Sequence, residues 1–332
     1  AYNGSDSKNS GRRLFGSVYV DSSATDTSPA RIVSGAGSLN YQASNEVASV
    51  LSGEGVLKFS YNPKSFDNTV DAPFSTWLTA DNCDFTGKLL IEGAGGSKFF
   101  EVVITNANAL GGSPAEFVAD GVKLSHAYSD SRICTLRVAR SLTIDDPNRG
   151  WTVYRGNLRT DQDVTLDFRS PLTISKKGVL SKDGPGTLAL DVDVGAEEDA
   201  KLCVREGFLQ VASPETLAGV LVTFAELTDG GISVDAASTD ADYRAKGLTA
   251  ETLTFADEGV IKVAVANWTK EMACLTQAVV TVAAGGPDLS GRLVPRKVRG
   301  AIVTMLDPVV NEDGSTTYRV AIEPSGLSVI LR

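Results

Sequence analysis

The only histidine, His126, limits the kinds of catalysis that this chain can carry out. A Ser-His-Asp or Cys-His arrangement would have to use it, and no nucleophile-elbow pattern accompanies it in residues 123–129. A metal site with three histidine ligands is excluded by the count alone. We therefore predict no catalytic residues.

Carboxylates and basic side chains occur on two consecutive predicted strands. Asp191 and Asp193 share the outward face of one strand, and Lys201 and Arg205 lie on the next. Paired carboxylates act as acid and base in polysaccharide hydrolysis. The plainer interpretation is a solvated face that keeps the sheet soluble. A polysaccharide-active protein is therefore the alternative to a non-catalytic one.

Two acidic segments contain oxygen ligands of the type that Ca²⁺ prefers. Asp81, Asn82 and Asp84 form the first, and residues 311–313 form the second. Neither has the D-x-[DN]-x-[DN]-G spacing of a calcium loop, and a hairpin turn accounts for the second without metal. We predict neither a metal site nor a cofactor.

Aromatic residues are spread through the first half of the chain, and an exposed row of them would suit stacking against sugar rings. Most alternate with apolar neighbours, which favours stacks inside the core and leaves glycan binding as a second alternative. The residues concerned are Tyr19, Tyr41, Phe59, Tyr61, Trp77, Phe99, Trp151 and Tyr154.

The four cysteines lie far apart and form no C-x-x-C pair, so they carry no metal signature. They allow three disulfide pairings, which require an oxidising compartment, or four reduced thiols. Strand alternation places Cys134 inward and Cys203 outward. The other two are Cys83 and Cys274.

Composition excludes several classes of partner. A net charge of −10 and a pI of about 4.8 oppose binding to nucleic acid or to an anionic membrane surface. No window approaches the roughly 18 consecutive apolar residues of a membrane-spanning helix. The opening residues are small and polar, which favours a mature exported protein.

Short apolar-alternating runs separated by glycine-rich turns predict β-strands throughout. The clearest examples fall in residues 178–194 and 201–213. A run at 278–283 is nearly all apolar and predicts a strand covered on both faces. Residues 238–243 are interpreted as a loop, and 267–273 as the one short helical turn.

The tail carries the sharpest local signal. Two alternating runs, 301–306 and 316–322, flank an Asp-Gly turn within residues 311–314, which predicts a hairpin. After Pro324 a last strand, 326–332, ends at the final residue, and we expect it to be docked because an exposed strand would be an open edge.

Two stretches repeat a common pattern. Residues 51–59 and 182–190 share one pattern, in which G-x-G is followed by a small or branched residue, a leucine, any residue and an apolar residue. Residues 103–112 and 211–219 share a second pattern, in which a leucine is followed by Gly or Ala. Repetition at this scale is typical of stacked solenoids.

The motifs in the first stretch resemble the autotransporter-associated β-strand repeat of large bacterial exported proteins. They are the G-x-G-x-L strand start, the turn at 82–90 and the Asn-Ala-Leu-Gly turn within 106–112. The resemblance covers 50–125 and, more loosely, 178–235, and it implies a right-handed parallel β-helix outside the cell in a structural or adhesive role. One residue too many separates Asn82 from Phe85, and the second stretch lacks this turn. We expect no translocator barrel, because the tail has no run of ten-residue alternating strands.

We therefore predict an all-β protein, a right-handed parallel β-helix with a C-terminal hairpin and an N-terminal strand on a polar tether. Residues 1–45 form the extension, 46–298 the solenoid body, and 299–332 the hairpin and terminal strand. The extension carries one strand, at 14–20, which either caps this molecule or pairs with the edge of a neighbouring copy.

The predicted function is that of a non-catalytic bacterial structural protein, secreted or on the cell surface. It assembles with copies of itself as a filament or array subunit by terminal-strand pairing, with surface glycans as a further class of partner. The residues assigned to assembly are Leu14, Phe15, Val18, Tyr19, Val20, Leu327, Val329 and Leu331.

Overall fold

A computed structural model describes residues 12–14, 16–34, 44–61, 74–92, 100–112, 115–118, 135–225, 230–250, 252–256 and 259–325. Strands make up about half of the described residues and the helices are few and short, so the predicted all-β class is confirmed. The strands form three long parallel stacks, here called A, B and C, and one antiparallel C-terminal sheet.

Stack A is the longest. Its members, in the order in which they pair, are β1 (Arg12–Leu14), β4 (Ser44–Val47), β7 (Phe74–Leu78), β9 (Phe100–Ile104), β11 (Thr135–Val138), the second half of β13 (Trp151–Thr160), the second half of β15 (Leu172–Asp183), β18 (Lys201–Val204), β20 (Leu221–Phe224) and β22 (Thr252–Phe255).

Stack B shares the two long strands with stack A. Its members are β3 (Ala30–Ser34), β6 (Leu57–Tyr61), β8 (Leu89–Glu92), β10 (Ala115–Val118), the first halves of β13 and β15, and β17 (Val194–Ala196).

Stack C has two parts. The first contains β2 (Ser17–Val20) and β5 (Val50–Gly53). The second contains β12 (Leu142–Ile144), β14 (Thr165–Phe168), β16 (Thr187–Leu190), β19 (Gly207–Val211), β21 (Gly230–Asp235), β23 (Ile261–Ala266) and β25 (Leu293–Pro295). A bridge from Gly53 to Phe85 and a 3-10 helix at Ala107–Leu110 lie between the two parts.

The chain passes through stack A, then C, then B, and returns to A, and one such passage is called a rung below. Parallel stacks visited in a fixed order are consistent with a β-helix. Inward-facing apolar residues of successive rungs lie in register, as with Leu136 and Leu158 in stack A and Leu166 and Leu188 in stack C. All four are fully buried, so the core runs along the axis of the stacks.

The first rung begins at Arg12, inside the segment predicted to be an extension. The predicted strand at 14–20 is two strands, β1 and β2, with Gly16 between them at φ +102°. Both pair in parallel with the next rung of the same chain. This segment is therefore part of the stacks.

The repeated G-x-G pattern marks turns, but at different corners. Gly53 is the last residue of β5 in stack C, and Gly184 follows β15 in stack A. A Cβ at Gly53 would lie 2.2 Å from the carbonyl oxygen of Val20 on the rung before. Both turns need glycine because the backbone of one rung lies directly on the next.

The helix prediction was wrong in position. Residues 267–273 form a turn, and the predicted loop contains α1, Ala241–Lys246. The Asp240 side chain accepts a hydrogen bond from the Tyr243 amide at 2.8 Å, and Gly247 ends the helix with φ +64°. This N-cap and C-terminal glycine are the local signal that the sequence offered.

The antiparallel sheet contains the predicted hairpin. Strand β28 (Thr316–Pro324) pairs with β27 (Val309–Val310), β26 (Ala301–Met305) and β24 (Leu275–Val282). The apolar run at 278–283 therefore lies mostly in β24 and pairs antiparallel, outside the three stacks. The terminal residues 326–332 lie outside the described residues.

Candidate functional site

Charged side chains project from the outward face of stack A on successive rungs. In β11, Leu136 and Val138 point into the core, so Arg137 between them points outward. Its partner in register on β13 is Arg159, which is paired in turn with Asp183 on β15. The parallel register thus brings together residues that are far apart in sequence.

Two carboxylates bind these arginines. Arg137 donates from Nε and Nη2 to the Asp161 carboxylate at 2.8 and 2.9 Å. Arg159 donates from Nη1 to Glu101 Oε1 at 3.1 Å, and the second Glu101 oxygen is 3.6 Å from Arg137 Nη1. We call Glu101, Arg137, Arg159 and Asp161 the carboxylate–arginine ladder.

The ladder is charge-neutral and partly buried. Glu101 is only 1% exposed, and burying its charge requires the two arginines. The hydrogen bonds from Arg137 to Asp161 raise the pKa of this arginine. Each carboxylate of the ladder is thus paired with an arginine from another strand of stack A.

Two groups with shifted pKa values, Asp183 and Lys182, lie on β15, one rung further along. Burial raises the pKa of Asp183, against the nearby positive charges of Arg205, Lys182 and Arg159. Burial also lowers the pKa of Lys182 to about 7. The Lys182 side chain is completely buried, and its Nζ is bound by backbone carbonyls, so it has no access to a substrate.

The acidic and basic residues predicted to cluster are not brought together. Asp191 follows β16 in stack C, and its carboxylate lies 3.4 Å from Arg169 Nε. Lys201 opens β18 in stack A. Arg169 also lies 2.7 Å from the Asp167 carboxylate, so this cluster is a surface ion-pair network that sequence reasoning missed.

The first calcium candidate is structural. Asn82 is fully buried, accepts a hydrogen bond from the Leu51 amide at 2.8 Å and donates to the Ala109 carbonyl at 2.6 Å. Its side chain thereby links three successive rungs. Asp81 accepts a hydrogen bond from the exposed Asn108 side chain at 3.2 Å.

The second calcium candidate is the hairpin turn. Asn311 Nδ2 donates to the side chains of Ser315 and Thr317, and Asp313 accepts from the amide and the hydroxyl of Ser315. Across the described ranges no three His, Cys, Asp or Glu side chains are grouped closely enough to hold a metal ion.

The aromatic residues divide between core and surface. Phe59 and Trp151 are buried, as the alternation predicted, while Tyr19 and Tyr154 are 68% and 44% exposed. Trp77 is half-buried, with the Arg137 guanidinium 6.0 Å from its ring centre. His126 and the side chains of Tyr41, Tyr61 and Phe99 lie outside what the structure describes.

No disulfide joins the cysteines that the structure describes, Cys83, Cys203 and Cys274. Cys203 is half-buried on the outward side of β18, between buried Leu202 and Val204, as the alternation predicted. Cys134 lies outside the described residues.

Those assembly residues that the structure describes lie at one end of the stacks. Leu14 is in β1, and Val18, Tyr19 and Val20 are in β2, where Val20 is buried and Val18 half-buried. Within the described residues β1, β2 and β3 each pair on one side only. Phe15, Leu327, Val329 and Leu331 lie outside the described residues.

Comparison of the chain with models of known families, with curated proteins and with solved structures returns no match. The resemblance to autotransporter-associated repeats therefore stays a prediction. Among the described residues, no helix is long and apolar enough to cross a membrane.

Proposed function

We propose that this chain is a non-catalytic structural protein, secreted or displayed on a bacterial surface, that assembles with copies of itself through strand edges at its N-terminal end. In this proposal the three stacks close into a right-handed parallel β-helix, the hand that parallel crossover connections adopt in nearly all known cases. The observation that carries it is the one-sided pairing of β1, β2 and β3 at a single end.

The backbone of β2 supports this assignment in detail. The Gly16 carbonyl accepts from the Val50 amide at 3.0 Å, and the Val20 carbonyl accepts from the Gly55 amide at 3.2 Å. Backbone groups of a parallel strand alternate in direction, so Val18 also faces β5 while Ser17 and Tyr19 face the free edge. A free edge of this kind is a template for pairing with another chain.

Strand β3 follows the same rule. The Ala30 amide donates to the Val56 carbonyl at 2.9 Å, so the N–H of Arg31 faces away from β6. Among the described residues, two neighbouring strands of the first rung therefore present donors and acceptors without a strand partner at the same end. A second copy offering the same edge would satisfy both sets.

The charged face of stack A supports a structural role over a catalytic one. The ladder carboxylates are held by arginines, and the lysine with the lowered pKa is turned into the core. These groups hold successive rungs together, which is a structural role.

The test places proline, which has no backbone N–H, at a position whose N–H faces the strand edge and does not bond to β5. Tyr19→Pro removes an edge-facing donor and leaves the hydrogen bonds to β5 intact, whereas Val18→Pro removes one of those bonds. Tyr19→Thr is the matched control for loss of the ring. Size-exclusion chromatography with light scattering, negative-stain microscopy and thermal unfolding are recorded for all four proteins.

We expect assemblies from the wild type and Tyr19→Thr, monomers of unchanged melting temperature from Tyr19→Pro, and a lower melting temperature for Val18→Pro. Wild-type protein that is monomeric at every concentration would refute assembly. Assemblies formed equally well by Tyr19→Pro would place the contact elsewhere.

A further inference from the structure

A lysine occupies a position in the core that the strand pattern reserves for apolar residues. In β15, Leu180 and Lys182 lie two residues apart on the same face of the strand, and Lys182 is in register with Leu158 on the rung before and Val204 on the rung after. Lys182 is 0% exposed, as are Leu180 and Val204. An apolar residue here would match its neighbours, so the lysine needs a separate explanation.

The ammonium group is held by three carbonyl oxygens at one corner. Nζ donates to the carbonyls of Asp183 at 2.8 Å, Gly184 at 2.6 Å and Glu206 at 3.0 Å. The first two belong to its own turn and the third to the next rung. Its main-chain carbonyl also accepts from the Arg205 amide at 3.0 Å, so Lys182 holds the following turn at two points.

Glycine makes room for this contact. A Cβ at Gly207 would lie 2.7 Å from Nζ and 2.3 Å from the carbonyl oxygens of Gly184 and Gly186. The G-x-G turn after β15 and the glycine that opens β19 therefore form the walls of the site around Nζ. Any larger residue at 207 would displace the ammonium group.

The surrounding charges come from three rungs. Asp183 on the same strand and Glu206 on the next rung attract the ammonium group, and Arg159 on the preceding rung repels it. Arg205 acts on the same corner through Asp183. Burial outweighs the two carboxylates, and it lowers the pKa of Lys182 to about 7 from 10.5.

We propose that the Lys182 corner is a pH-sensitive lock between two successive rungs, operated by one proton on Nζ. The ammonium form has three donors for three carbonyls. The neutral amine has two N–H donors, so one carbonyl must lose its partner. Proton uptake and release near neutral pH thus change the number of hydrogen bonds that join the turn at Gly184 to the turn at Glu206 on the next rung.

The sign of the effect on stability follows from linkage. Between about pH 7 and pH 10.5 the unfolded chain carries the lysine proton and the folded protein does not. The folded state therefore gains stability as pH rises through this window, and that gain is lost progressively as pH falls from 10.5 to 7. This group alone changes the unfolding equilibrium constant by about tenfold per pH unit within the window.

Two measurements test the lock. The first follows the Cε signals of ¹³C-lysine-labelled wild-type protein by NMR, with the Lys182 signal assigned by its absence in Lys182→Arg. We expect it to titrate near pH 7, far below the 10.5 of an unperturbed lysine. A Lys182 signal that titrates above pH 9 would overturn the proposal, and the titration itself is recorded on wild-type protein.

The second compares chemical unfolding at several pH values between 7 and 10 for wild type, Lys182→Met and Lys201→Met. Lys201 is an exposed lysine on the next strand and serves as the control. We expect the tenfold dependence per pH unit to disappear in Lys182→Met and to remain in Lys201→Met. Equal dependence in all three proteins would contradict a role for Lys182.

Discussion

The two ends of the stacks differ in how their last strands are covered. At the C-terminal end the chain adds α1 and an antiparallel sheet: Leu248 bridges to Val280 of β24, and Val320 of β28 is fully buried. At the N-terminal end, among the described residues, the first strands keep a free edge, with Tyr19 and Val50 exposed.

The difference shows what a parallel stack requires in order to end. Every rung satisfies the backbone of the rung before it and leaves its own far edge unsatisfied, so the pattern alone cannot close. One solution is to cover the end from within the chain. At the C-terminal end, among the described residues, β22 and β25 pair on one side only, and the antiparallel sheet packs next to β21 and β25 through β24 and β26. The other solution is a second chain, which is the solution that we propose for the N-terminal end.

The largest expected loss of stability comes from placing a carboxylate in the C-terminal sheet, and the same substitution at the N-terminal end provides the comparison. Val320→Asp buries an unpaired carboxylate in the centre of the antiparallel sheet, and we expect the unfolding free energy to fall by about 4 kcal/mol or more. Val18→Asp at half-buried β2 should cost about 1 kcal/mol. Urea unfolding of both variants measures this, and equal losses would mean that both ends are covered alike.

Much of this contrast could be predicted from local sequence. The Asp-Gly turn identified the hairpin because a turn is specified by neighbouring residues, and Gly314 adopts the left-handed conformation, at φ +79°, that the turn requires. Alternation likewise gave the burial of Phe59 and Trp151. Missing α1 was avoidable, because Asp240 and Gly247 are ordinary capping residues.

The ladder and Asn82 could not be predicted in the same way. Thr135 is in register with Glu101 on one side and Asn157 on the other, at unequal sequence separations. Because rung length varies with the turns, no fixed period indicates which charges meet. The same variation lets two similar G-x-G stretches occupy different corners, so a repeat in sequence did not mean a repeat in position.

Asn82 provides an intermediate effect near the free end. Asn82→Ala leaves the Leu51 amide and the Ala109 carbonyl without their buried partner, which should cost about 2 to 3 kcal/mol of unfolding free energy. Asn108→Ala is the control, since it removes only a contact between exposed side chains. Thermal unfolding distinguishes the two, and a similar small loss in both would mean that the rungs are held by apolar packing alone.

The smallest expected effect is a difference in ion-pair coupling energy between the middle of the stacks and the N-terminal end. Arg137 and Asp161 form a bidentate, partly buried pair, so a double-mutant cycle with alanine should give a coupling of about 0.5 to 1 kcal/mol that weakens in high salt. Lys88 and Asp26, 3.0 Å apart near the N-terminal end, should show no measurable coupling because Asp26 is 63% exposed. Neither cycle should change assembly, since these side chains are not part of the strand edge. Loss of assembly on mutating Asp26 would instead extend the contact between copies to the loop after β2.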